Sequence, residues 1–201
     1  MILPIVVYGD PVLRKVGLDI DKDYPGLEQL IKDMYDTMYN ASGVGLAAPQ
    51  VGKAIRLFIV DTRPFAESED DDDDDEEFTP EQILILKDFN KIFINARILN
   101  EDGNEWSFSE GCLSIPKLRE NVVRKPDIEI EYYDENFVKH TEKYDGIIAR
   151  VIQHEYDHIE GVLFTDKISP FKRKMISGKL NDIAKGKIHA DYKTKVYRPK
   201  K

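Results

Sequence analysis

Two histidines four positions apart are the residues of this chain best suited to chemistry. If residues 154–158 form a helix, His154 and His158 lie one turn apart on the same face. Two imidazoles at this spacing can bind one metal ion, and Glu155 would then stand beside a water that the ion activates. The same five-residue pattern also occurs on exposed polar helices, so the pair alone leaves a metal site and a solvated surface both open.

The residues around this pair indicate which side of the helix faces the core. At about 100° per residue, the arc that carries both histidines and Glu155 also holds five aliphatic residues: Ile147, Ile148, Val151, Ile152 and Ile159. The opposite arc, which we predict to face water, holds Arg150, Gln153, Asp157 and Glu160. Because an unpaired buried charge is costly, polar groups on the apolar arc favour a metal cation as compensation. Buried polar groups satisfied by hydrogen bonds are the alternative.

The only cysteine supplies a candidate third ligand. Cys112 lies in Glu-Gly-Cys-Leu-Ser-Ile-Pro at 110–116, where glycine and proline impose a special backbone shape. One thiolate and two imidazoles would leave a tetrahedral position for water, as in catalytic sites, and the thiolate favours Zn²⁺ or Fe²⁺ over Mg²⁺ or Ca²⁺. Taken alone, a cysteine is more often a small buried apolar residue than a ligand.

Length and composition predict one soluble globular domain, or one such domain with a tail. The chain has 201 residues, of which 41% are hydrophobic and 33% charged, and we expect no membrane-spanning segment and no signal peptide. A single cysteine excludes an internal disulfide and indicates an intracellular protein.

The net charge of −9 is unevenly distributed along the chain. Residues 67–77 contain ten acidic residues, within a segment at 66–80 that we predict to be an inserted surface loop. Residues 170–201 carry eleven Lys or Arg against two Asp, a local +9, so the other residues carry −18. This asymmetry indicates either an interaction tail or a solvated basic helix.

Hydrophobic periodicity predicts helices over 25–39, 146–160 and 170–185, with Gly161 just past the end of the second. It predicts strands over 1–8, 55–60, 93–99, 105–109, 128–132 and 137–144. An Asp-Gly turn at 100–104 is expected to pair 105–109 back onto 93–99.

Three stretches resemble, in order, the three signature motifs of bacterial peptide deformylase. They are Gly-Val-Gly-Leu-Ala-Ala-Pro-Gln at 43–50, Glu-Gly-Cys-Leu-Ser at 110–114 and His-Glu-Tyr-Asp-His at 154–158. The resemblance implies an α+β fold, in which antiparallel strands form small sheets around a central metal-binding helix, with N-terminal and C-terminal helices. It also implies a catalytic domain at 1–169, which includes the acidic insertion, followed by a basic helix and tail at 170–201.

The resemblance further implies a role for each site residue. Cys112, His154 and His158 would bind one divalent ion, natively Fe²⁺, with Zn²⁺, Ni²⁺ or Co²⁺ able to replace it. Glu155 would be the general base for attack by metal-bound hydroxide on the formyl carbon. The three remaining roles fall to residues of the other two motifs: the Gln50 side chain and the Leu113 N–H would hold the formyl oxygen, and the Gly45 backbone would contact an extended substrate.

The implied substrates are nascent N-formylmethionyl polypeptides in the bacterial cytoplasm, with no membrane or DNA partner. Contact between the basic residues 170–201 and ribosomal RNA is a further hypothesis. A zinc endopeptidase and a non-catalytic metal module are the competing functions. The upstream cysteine and the distance from His158 to the next histidine, His189, disfavour the peptidase, while Glu155 and Gln50 would be superfluous in a structural site.

Overall fold

The computed structural model describes residues 1–67 and 79–199, which form nine strands and five helices. The strands are β1 (Ile5–Val6), β2 (Gly45–Ala47), β3 (Leu57–Asp61), β4 (Asn90–Asp102), β5 (Trp106–Cys112), β6 (Ile115–Arg124), β7 (Asp127–Tyr133), β8 (Lys139–Tyr144) and β9 (Thr194–Lys195). The helices are α1 (Leu27–Asn40), α2 (Arg63–Glu67), α3 (Pro80–Asp88), α4 (Gly146–Ile159) and α5 (Pro170–Ala184).

Three small sheets organise these elements. The largest is antiparallel, with strand order β2-β3-β4-β7-β8, and β5 and β6 form a separate antiparallel hairpin. The third joins the two ends of the chain, because β1 and β9 pair in parallel. The predicted α+β class, with small and mainly antiparallel sheets, is confirmed.

The five-stranded sheet is buried on both faces around β3. Phe58 and Val60 point into one apolar cluster with α4, whereas Leu57 and Ile59 point into a second cluster with α1. This division follows from the alternation of side chains along a strand, and it explains why β3 reads as a continuous apolar run. The sheet therefore separates the two helices and fixes α4 against β2 and β3.

Helix α4 matches its predicted bounds, but its predicted solvent-facing arc is wrong. Gly161 follows the helix with φ of +72°, the left-handed conformation expected at this position. Arg150, Gln153 and Asp157 are buried rather than wet, and only Glu160 of the four is partly exposed. The physical reason is that β5, β6 and the residue after β6 supply partners for these polar groups: Glu110 for Arg150, Arg124 for Asp157 and the Lys125 carbonyl for Gln153.

A third apolar cluster attaches the C-terminal helix to the rest of the molecule. Leu180 and Ile183 of α5 are buried against Leu118 and Val122 of β6, and Val6 of β1 belongs to the same cluster. The basic helix is thus packed along one side. The boundary between a domain at 1–169 and a tail at 170–201 stays a prediction.

Several predicted elements need correction. Residues 105–109 do not pair back onto 93–99, because β4 pairs with β7 and β5 pairs with β6. Helix α3 was not predicted, although Thr79 and Gln82 form a capping box that marks its start. Most of the predicted acidic loop at 66–80 lies outside the described residues, and at its edges α2 ends at Glu67 and α3 begins at Pro80. In the described parts of the chain, none of the helices is long and apolar enough to cross a membrane.

Candidate active site

The three predicted metal ligands meet in space although they come from two separate elements. Cys112 ends β5, and His154 and His158 lie on α4. One ligand atom from each residue lies within 4.8 Å of the other two. The Cys112 Sγ is 3.3 Å from the His158 Nε2, and the two imidazole centroids are 5.1 Å apart. A single ion can therefore be reached by all three side chains.

The chemistry of these residues fits a divalent cation. The Nδ1 of His154 lies 2.9 Å from the Glu110 carboxylate, which leaves the Nε2 available as a ligand. Burial alone would lower the pKa of His154, but hydrogen bonds to Cys112 and Glu110 raise this pKa well above its usual value. Burial lowers the pKa of His158, so that imidazole is neutral and offers a nitrogen lone pair to a cation. The site thus stabilises positive charge beside a thiol and two imidazoles, the donor set that suits Fe²⁺ or Zn²⁺.

A buried ionic network contacts the Nδ1 atom of His154 through Glu110. The Glu110 carboxylate accepts hydrogen bonds from Arg124 Nε and Nη2, at 2.7 and 2.9 Å, and from Arg150 Nη1 at 3.0 Å. Arg124 also donates to Asp157 at 2.7 Å. Two carboxylates and two guanidinium groups therefore balance one another inside the protein, where an unpaired charge would be expensive.

This network sets the charge state of Glu110. Burial alone would raise the pKa of Glu110, but hydrogen bonds from Arg124 and His154 hold this pKa far below its usual range. An ionised carboxylate accepts the Nδ1–H of His154, and this hydrogen bond fixes both the tautomer and the orientation of the imidazole.

Glu155 lies beside the ligands in a tight enclosure. Its carboxylate is buried, burial raises its pKa to about 7, and its Oε2 has no hydrogen-bond partner among the described residues. A Cβ atom added to Gly45 would lie 2.5 Å from the Glu155 Oε1. Gly45 is therefore required by sterics, because β2 passes directly against the carboxylate.

The two predicted oxyanion-binding residues also border the cysteine. The Gln50 Oε1 accepts a hydrogen bond from the Ala47 N–H at 2.8 Å, which turns the amide NH₂ towards the site. That Nε2 lies 3.6 Å from the Cys112 Sγ and 3.3 Å from the Ser114 Oγ. Leu113 follows the cysteine directly, and its carbonyl accepts a hydrogen bond from the Tyr192 hydroxyl at 2.7 Å.

A cavity of about 450 Å³ opens onto these groups. Six of the seven predicted site residues line it: Gly45, Gln50, Cys112, Leu113, His154 and Glu155. His158 is buried behind them. The volume is in the range of small-ligand sites, so a short peptide terminus can enter and reach the candidate ligands.

A family model described as polypeptide deformylase matches residues 2–174. The chain belongs to the polypeptide deformylase family. The predicted identity as a bacterial peptide deformylase, a hydrolase acting on formylmethionyl peptides, is confirmed.

Relatives of the same family match the chain over its whole length. A peptide deformylase from Flavobacterium psychrophilum is 64% identical over all of both chains. One from Christiangramia forsetii is 60% identical over 100% of this chain and 99% of its own. The crystal structure of a peptide deformylase from Legionella pneumophila superposes with a TM-score of 0.74 at 34% identity, over 93% of this chain and 98% of that one.

Three residues of this deformylase site were not assigned by sequence reasoning. Glu110 stands two positions before Cys112 in a quoted motif, and its place there was the available signal. Arg124 and Tyr192 lie outside all three motifs, and nothing in the sequence pattern places them beside the site.

Proposed function

We propose that the chain removes the N-terminal formyl group of formylmethionyl polypeptides by metal-assisted hydrolysis, with one divalent cation held by Cys112, His154 and His158. The observation that carries the proposal is the convergence of these ligands beside a buried carboxylate in an accessible cavity. Bound by these residues, a divalent cation supplies Lewis acidity, which makes water a competent nucleophile near neutral pH. We expect Fe²⁺ as the native ion, with Zn²⁺, Ni²⁺ and Co²⁺ as substitutes.

Glu155 moves the proton in this proposal. It takes a proton from water as the oxygen attacks the formyl carbon, and it delivers a proton to the amine nitrogen as the C–N bond breaks, so that formate and a free amine leave. Its burial against Gly45 supports this role, because the enclosure holds the carboxylate in one position beside the ligands.

Gln50 and Leu113 stabilise the negative charge that develops on the formyl oxygen. The Gln50 amide is held by the Ala47 N–H and the Ser114 hydroxyl, so its NH₂ is preorganised. The Leu113 N–H is the second donor. Losing one such donor typically costs about 10²–10³ in kcat.

The substrate peptide binds in an extended conformation against β2. Gly45 lies on this strand, which is the edge of the five-stranded sheet, so an extended chain can add to its open side. The formyl carbon carries only hydrogen beyond its oxygen and nitrogen, and a tight site therefore admits it while bulkier acyl groups are excluded.

The proposed cellular location of the reaction follows from the proposed substrate. Nascent chains are made in the cytoplasm, and we propose that the enzyme meets them there. Contact of the basic residues 170–201 with ribosomal RNA is also proposed, on the basis of their local charge of +9. The division of the chain into a catalytic domain at 1–169 and a basic helix and tail at 170–201 is proposed on the basis of the same local charge.

Formate release from a formyl-Met peptide tests the function. The enzyme is purified without oxygen, and its metal content is measured beside its turnover. We expect one metal per chain, rapid formate release, loss of activity with a chelator, and recovery with Fe²⁺ or Ni²⁺. Matched acetyl-Met and internally scissile peptides serve as controls. Cleavage of the internal peptide bond with no formate release would identify an endopeptidase, and bound metal without either reaction would identify a structural site.

A further inference from the structure

The C-terminal segment at 189–195 returns to the active site. Residues in and directly after β1 bind its backbone: the Ile5 N–H donates to the Lys193 carbonyl at 2.9 Å, and the Val7 N–H donates to the Lys195 carbonyl at 3.1 Å. Ala190, Asp191 and Tyr192 line the cavity that holds the candidate ligands. This segment lies beyond the residues matched by the family model, and none of the catalytic roles proposed so far involves it.

Tyr192 makes a specific polar contact inside this cavity. Its hydroxyl donates a 2.7 Å hydrogen bond to the Leu113 carbonyl, and its ring packs in the same apolar cluster as the Leu113 side chain. Burial raises the pKa of Tyr192, so the hydroxyl keeps its proton and remains a donor at neutral pH.

The backbone around Leu113 is held at several points. The Tyr8 N–H donates to the Ser114 carbonyl at 2.8 Å, and the Gln50 amide donates to the Ser114 hydroxyl at 3.3 Å. Tyr192 adds the restraint on the Leu113 carbonyl itself. The Leu113 carbonyl shares a peptide plane with the Ser114 N–H, whereas the Leu113 N–H lies in the preceding plane, which the pairing of Cys112 with Ile115 holds. With both planes restrained, the φ and ψ angles of Leu113 are limited, and its N–H is kept from turning away from the cavity.

We propose that Tyr192 is a positioning residue for the oxyanion site: by holding the Leu113 carbonyl, it keeps the Leu113 N–H directed at the formyl oxygen. This inference rests on the proposed function, because it requires Leu113 to act as the second donor. It assigns the C-terminal segment a part in catalysis, and it predicts that the parallel pairing of β1 with β9 serves to hold Tyr192 in place.

Tyr192→Phe tests the proposal, because it removes the hydroxyl and keeps the ring. The matched control is Tyr197→Phe, at an exposed tyrosine of the same tail. Loss of one restraint on a preorganised donor should lower kcat roughly three- to ten-fold and leave KM within about two-fold, since the donor acts mainly in the transition state. Hydrogen exchange followed by mass spectrometry should show faster exchange at residues 113–115 in Tyr192→Phe only, with metal content equal to that of the wild type.

The outcomes separate this inference from the function on which it rests. Wild-type kcat and wild-type exchange in Tyr192→Phe would overturn the positioning role and leave the deformylase activity intact. A raised KM with unchanged kcat would also overturn it, because Tyr192 would then contact the substrate instead. A wild-type enzyme that releases no formate would overturn the proposed function first, and the role of Tyr192 with it.

Discussion

Glu110→Gln is the substitution that most directly disturbs the support of the metal centre. The carboxylate accepts four hydrogen bonds, two from Arg124, one from Arg150 and one from His154. Glutamine has nearly the same shape, but it carries no charge, and one of its two terminal atoms becomes a donor that faces another donor. Arg124 would then keep Asp157 as its anionic partner, while the hydrogen bond between Arg150 and the Glu110 carboxylate would lose its charge.

The expected cost follows from the burial of these groups. Breaking a buried ion pair by removing one partner costs about 3–5 kcal/mol, and the lower end applies because Asp157 still pairs with Arg124. For a chain of this size, a loss of about 3 kcal/mol lowers Tm by roughly 6–12 °C. Loss of the Glu110 hydrogen bond to His154 should weaken metal affinity by about 10–100-fold.

Urea denaturation and competitive metal titration measure the two effects. Glu131→Gln is the matched control, since Glu131 pairs with Lys139 on the surface at 2.8 Å, and its loss should cost less than about 1 kcal/mol without changing metal affinity. If Glu110→Gln were as stable as Glu131→Gln and bound metal as tightly as the wild type, the account of the buried network would be refuted.

Three further substitutions have definite expected outcomes. Gly45→Ala should reduce kcat by at least about ten-fold in a formate-release assay, with the fold retained by circular dichroism, because the added Cβ overlaps the Glu155 carboxylate. Burial alone would raise the pKa of Asp166, but the hydrogen bond from Arg14 lowers this pKa, so the pair contributes stability that is present above pH 3.8 and is lost as the pH falls through the lowered value. The free energy of unfolding, measured in urea from about pH 5 to about pH 2, should therefore depend less on pH in Asp166→Asn than in the wild type. Phe58→Ala should lower the free energy of unfolding by about 3–5 kcal/mol in urea, since the ring is fully buried.

The local parts of the site could be predicted from the sequence because they depend on helical spacing. His154, Glu155 and His158 fall on one face of a helix whose bounds follow from its apolar period and from Gly161. The convergence of Cys112 with the histidines was inferred from the chemistry of a three-ligand site and from the resemblance, since spacing along the chain does not bring residues so far apart together.

The remaining parts depend on contacts between distant segments. Arg150 and Asp157 were expected in water because charged residues usually lie there, but Glu110 and Arg124 bury them by pairing. The strand that pairs with β5 was missed for a related reason: an Asp-Gly turn after β4 suggested a local hairpin, whereas the long-range pairing of β4 with β7 prevailed. Tyr192 likewise contacts Leu113 across a long stretch of sequence, next to the point where β9 pairs with β1.

The most direct test of the central claim is single-turnover formate release by Glu155→Gln, with metal content measured on the same sample. We predict one divalent ion per chain, as in the wild type, because the ligands are intact, and formate release slowed by about 10²–10⁴-fold. Formate release at the wild-type rate with the metal retained would contradict the assignment of Glu155 as the group that moves the proton.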